Sequence, residues 1–218
     1  MSKSLLALLL LSAMASSLQA EIITYRFTGA IDTPNASDFN AGDSVYFDLT
    51  IDNAVAADYC IGGNECTYVA AVVDISGQIG GVDLTVNNLH QPGIMGLDVV
   101  NDSYHAGAAY DFISYGVVDV DLTGIIELGS YGVESFGFSV SDGMGNAFES
   151  ALLQNDFTNF DLAAATTTNF FHINFDSSAA SGAFTSIRVV PLPGAFWLAL
   201  SGFALMFGVA RKKAAVAV

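Results

Sequence analysis

Positive charge is almost missing from this chain. Its 218 residues include 6 Lys and Arg against 22 Asp and Glu. All the acidic residues lie between Glu21 and Val190, where the only cations are Arg26 and Arg188, a formal balance near −20. Such a body repels nucleic-acid phosphates and anionic lipid, so neither is expected as a partner. It suits an exported, self-repelling, soluble domain, or one that meets divalent cations.

Motifs that carry chemistry are also scarce. The three histidines, His90, His105 and His172, are scattered. No H-E-x-x-H, paired-cysteine motif or G-x-S-x-G is found, so nothing points to a zinc site or a nucleophilic triad. The 21 glycines are spread through turns rather than gathered before a helix, which argues against a phosphate cradle. No cofactor is expected and no catalytic residue stands out. Only two cysteines occur, in DYCIGGNECTY. In an exported chain, Cys60 and Cys66 are expected to close a small disulfide loop worth roughly 2 kcal/mol.

Helical periodicity is nearly absent too; AFESALLQN is the one helix-like stretch of the body. Period-two alternation dominates instead. Val45, Phe47, Leu49 and Ile51 share one face of SVYFDLTID. Val82, Leu84 and Val86, then Phe136, Phe138 and Val140, then Phe171, Ile173 and Phe175 repeat the pattern. Turn-forming clusters such as FNAGD, IGGN and SDGMGN punctuate it. One buried and one wetted face per strand predicts an all-β antiparallel sandwich with jelly-roll-like topology over residues 21–188.

Candidate functional residues on this frame are few. Asp119 and Asp121 share a strand face in VVDVDL, as a carboxylate pair for glycoside hydrolysis or calcium would. A wet strand face is the better account, because such alternation recurs throughout the sequence. Asp98, Asn101 and Asp102, Asp38 and Asp43, and the segment Asp142 to Asn146 offer further oxygens to calcium. None has the D-x-[DN]-x-[DN]-G spacing, so no metal site is assigned. Tyr46, Tyr104, Tyr110 and Tyr131 are candidates for a sugar-stacking surface.

Both ends differ from the body. MSKSLLALLLLSAMASSLQA has a basic head, a short apolar core and small residues before acidic Glu21. This predicts a signal peptide over 1–20, cut between Ala20 and Glu21 by signal peptidase. A cut after Ala15 and an uncleaved anchor are the alternatives. At the other end, Gly194 to Ala210 is a 17-residue uncharged run with Trp197 near its start. A short transmembrane helix is expected over 194–210. The cluster Arg211, Lys212 and Lys213 would stop it on the cytoplasmic side.

Ahead of that run stand Val190, Pro191, Leu192, Pro193 and Gly194. A Pro-x-Pro motif, a short apolar helix and a terminal basic cluster together resemble the PEP-CTERM sorting signal of Gram-negative bacteria, in its VPLPA variant. Leu192 lies between the prolines, and Gly194 stands where that variant has alanine. The resemblance covers residues 189–213 and implies recognition and cleavage near Pro-x-Pro by an exosortase. It implies a transient inner-membrane stage with the body in the periplasm, then release to the cell surface or an exopolysaccharide matrix. The expectation is a non-enzymatic surface or matrix protein. A carbohydrate-binding module and a secreted glycoside hydrolase are the alternatives.

Overall fold

The computed structural model describes residues 22–35, 38–87, 96–105, 108–117, 126–142, 147–153, 156–163, 169–175 and 178–191. The expected signal peptide, Asp119, Asp121, His90, the segment 143–146 and residues from Leu192 onward, including the helix expected over 194–210, lie outside them. Among the described residues no helix is long and apolar enough to cross a membrane.

Among the described residues there are twelve strands. They are β1 (Ile22–Asn35), β2 (Ser44–Asp52), β3 (Tyr59–Ile61), β4 (Glu65–Tyr68), β5 (Val72–Ile79) and β6 (Val82–Val86). After these come β7 (Leu97–His105), β8 (Ala108–Val117), β9 (Ile126–Leu128), β10 (Tyr131–Asp142), β11 (Phe170–Phe175) and β12 (Ser178–Val190). The alternation expected from the sequence decides their faces. In β2, Val45, Phe47, Leu49 and Ile51 are all buried, while Tyr46, Asp48 and Thr50 are only partly covered. The helix-like AFESALLQN is not a helix: its described residues, 147–153, run through bends and a turn. A single 3-10 turn follows at Phe157–Asn159, capped by the Asp156 side chain accepting from Thr158 N.

The all-β reading holds, but the sandwich does not. Hydrogen bonding runs β11-β12-β1-β2-β5-β6-β9-β10, and β10 pairs again with β11. The pairing Val133↔Phe175 through Ser139↔Phe170 closes eight antiparallel strands into a barrel. The remaining four strands extend from it in the order β8-β7-β4-β3. The long β10 makes this branching possible. Its first residues pair with β9 at Tyr131↔Leu128 and Gly132↔Glu127, and the same edge then takes β8 from Phe136↔Val117 to Asp142↔Asp111. A sandwich and a barrel need the same in-out alternation, so alternation alone does not separate them.

The interior is aromatic. Phe47 meets Phe136, Phe171 and Phe184 with ring centroids 5.0 to 5.9 Å apart. Phe27 meets Phe138 and Phe184 at 5.1 and 5.4 Å. Barrels of eight strands have room for side chains and little else, and rings of this size fill it. At one end Phe39, Tyr131 and Phe175 pack together. Two glycines set the β5–β6 hairpin: Gly80 and Gly81 both have positive φ, as a tight two-residue turn requires. At the β1–β12 seam a Cβ on Gly182 would overlap the Ala30 carbonyl oxygen, so that position needs glycine for close approach.

Candidate functional site

Most residues singled out in the sequence are accounted for by local structure. Asp98 lies on the outward face, where its carboxylate accepts from Thr67 Oγ1 at 2.6 Å and Ser114 Oγ at 3.4 Å. Asp43 Oδ2 accepts from Asn40 N at 2.7 Å within its own turn. Asp38 Oδ2 accepts from the Tyr131 hydroxyl at 2.7 Å. These three acids are therefore not gathered into one site. Tyr131 is also held by the Phe39 and Phe175 rings, and Arg26 lies over the Tyr46 ring at 4.5 Å. The same guanidinium donates to both oxygens of Asp48, at 2.6 and 2.5 Å. One face of Tyr46 is thus taken, and these two tyrosines do not form a shared stacking platform. Tyr104, His105 and Tyr110 fall within β7 and β8.

His172 stands on the outward face of β11, half-buried, and burial holds its imidazole below the ordinary value near 6.5. Cys60 and Cys66 are direct partners across the β3–β4 ladder, and their sulfurs are bonded at 2.05 Å. Pro191 follows the last strand directly.

One group of polar residues is placed differently. Asp111 and Asp142 are cross-strand partners where β8 meets β10. Asp111 has no exposed surface and Asp142 only 3%. They occupy inward positions, continuing the runs Tyr115, Ile113 and Phe138, Val140. Asp111 Oδ2 accepts from Phe148 N at 2.8 Å. On the other side of β8, β7 brings Asn101 opposite the same level. Val100 pairs with Phe112 and Ser103 with Tyr110, leaving Asn101 and Asp102 in the irregular step across from Asp111. The Asn101 Oδ1 atom is buried and has no hydrogen-bond partner. Of the acids named from sequence, Asp142 is set opposite Asp111, which the sequence reading did not single out. Asp111 was missed, although its signal was legible: an acid at the inward parity of an apolar alternation.

A carboxylate without exposed surface does not reach a glycosidic bond, so the Asp111–Asp142 pair is not arranged for hydrolysis of a polysaccharide. Among the described residues no cluster of three or more His, Cys, Asp or Glu is arranged to hold a metal. Comparison of the chain with protein-family models, with curated proteins and with solved structures finds no match.

Proposed function

We propose that this chain is an exported, non-enzymatic surface or matrix protein, a β-barrel delivered by a C-terminal sorting signal that an exosortase cuts. The observation that carries the reading is the end of the β1–β12 ladder. Thr24 pairs with Val190, and the pairing stops there. Pro191, which has no N–H to give a ladder, comes next. The Pro-Leu-Pro motif therefore begins directly after the last pair of the β1–β12 ladder. β1 begins at Ile22, just past the expected signal-peptide cut between Ala20 and Glu21. Both expected cuts thus fall outside the closed barrel, and neither removes a core residue. Proline also biases its preceding residue toward an extended shape, which suits a segment presented to a protease cleft. The apolar run would hold that segment at the inner membrane until release to the surface or to exopolysaccharide.

The test is to tag the body in its host and follow its size and location. Wild type is expected outside the cell without its tail. Pro191→Ala/Pro193→Ala, and wild type in an exosortase-deficient strain, are expected to stay full length in the membrane. A wild-type chain that remains full length in the inner membrane overturns the reading and leaves a simple anchor.

A further inference from the structure

We propose that one row of side chains on the outer face of the sheet binds a single chain of an uncharged polysaccharide. The row follows the register of six strands. Phe170 of β11 pairs with Ser139 of β10, and Ser139 with Ser114 of β8. Ser114 pairs with Asp98 of β7, Asp98 with Thr67 of β4, and Thr67 with Tyr59 of β3. Cross-strand partners share a face, so all these side chains stand on one side of the sheet. That side is the outer one, because the adjacent positions Phe138, Ile113, Val99 and Tyr68 are buried.

An aromatic ring closes each end of the row, Phe170 at 42% exposure and Tyr59 at 63%. Single exposed rings are ordinary on a protein surface. Here two of them end the same register row, with hydroxyls and one carboxylate between. Ser139, Ser114, Asp98 and Thr67 are all partly exposed. Thr67 Oγ1 and Ser114 Oγ both donate to Asp98, which leaves their lone pairs free to accept. The carboxylate keeps further acceptor positions, and its charge strengthens any O–H bond it receives. A sugar offers the matching groups. Its hydroxyls both donate and accept, and its apolar C–H faces lie well on aromatic rings.

Charge and shape narrow the class of polymer. The row carries an acid and no cation, and the only described Lys or Arg residues, Arg26 and Arg188, lie on β1 and β12. A polymer of uronates or phosphates is therefore repelled. A protein partner is disfavoured, because interface cores are depleted of charge and this row has a carboxylate near its middle. Neighbouring strands lie about 4.8 Å apart, so five steps span about 24 Å, room for several sugar units. Each step also twists by about 20–25°, so the row winds. A flexible single chain can follow that path, and a flat crystalline surface cannot. The row belongs to the folded body, so the inference stands apart from the fate of the tail.

The experiment uses the full chain, purified in a detergent without a sugar headgroup, in native gels cast with polysaccharide. Dextran, galactomannan and a soluble β-glucan are the neutral polymers, alginate is the anionic one, and microcrystalline cellulose in a pull-down is the flat surface. At least one neutral soluble polymer is expected to retard the chain, with alginate and cellulose inert. Tyr59→Ala and Phe170→Ala remove exposed rings, so both should fold as wild type and weaken binding at least fivefold. Val73→Ala, exposed on β5 outside the row, should leave it unchanged. Failure to bind any of the three neutral polymers would overturn the proposal. So would tighter binding to alginate or cellulose, or full binding by both ring variants. A wild-type dimer in sedimentation that Tyr59→Ala dissolves would also overturn it, by showing that a second copy covers the row.

Discussion

His172 is a polar residue on an outward position that is nonetheless half-buried. The Phe170 ring lies beside it, with centroids 6.2 Å apart. Across the ladder stands Gly137, whose Cβ, if it had one, would lie 2.8 Å from His172 Cε1. Its other cross-strand neighbour is Ser181, so neither partner offers a charge. Burial thus disfavours the imidazolium and lowers the pKa. The unfolded chain takes up the proton first as pH falls below about 6.5, so acidification through that value removes stability until the folded group also protonates. His172→Gln should flatten this part of the profile, measured by urea unfolding at pH 7.5 and pH 5. Equal pH dependence in variant and wild type would show that the imidazole is solvated in the fold. The outward parity of His172 could be read from FHINFD. Its burial could not, because Gly137 and Phe170 reach it only through the ladder and the neighbouring ring.

At the scale of elements, the β3–β4 hairpin is the outermost piece of the sheet. All three residues of β3 are exposed, with Tyr59 at 63% and Ile61 at 52%. Gly62 and Gly63 turn the chain at positive φ, and the Cys60–Cys66 bond ties the pair. Only β4 reaches the core, through Cys66 and Tyr68. The disulfide therefore restrains an edge rather than the barrel. By loop entropy it is worth about 2 kcal/mol. Cys60→Ser/Cys66→Ser should be nicked faster by protease between residues 58 and 64, with little change in the urea midpoint of the whole domain. A fall in that midpoint by the full amount, without faster nicking, would show that the hairpin unfolds only with the barrel. The disulfide itself was legible from the Cys60–Cys66 spacing. Its position on the free edge of a branched sheet was not, since that depends on β7 pairing with β4 thirty residues away.

For the molecule as a whole, closure is the main consequence of the fold. β1 and β12 are each bonded on both sides, so the seam between the first and last strands is interior to the ladder. Amide exchange should be slowest in β1, β2 and β12 and fastest in β3, whose outer edge has no partner strand. Exchange in β12 as fast as in β3 would mean an open seam and would return the fold to two separate sheets. Among the described residues, closure removes the free edges of the eight barrel strands and leaves an outer edge at β3.

Sequence alone determined what is local. Alternation set the strands and their inward faces, as in Phe47, Phe136 and Phe171, because side chains on a strand must point to opposite sides. The Cys60–Cys66 spacing foretold a small closed loop. Tertiary structure decided what depends on who lies beside whom. It turned the expected sandwich into a barrel through the β10–β11 pairing, and it set Asp111 against Asp142 and near Asn101. Residues 101, 111 and 142 share no spacing that a chain can display. Their relative levels are set by the register of β7, β8 and β10, and register between strands follows from packing that no single strand encodes.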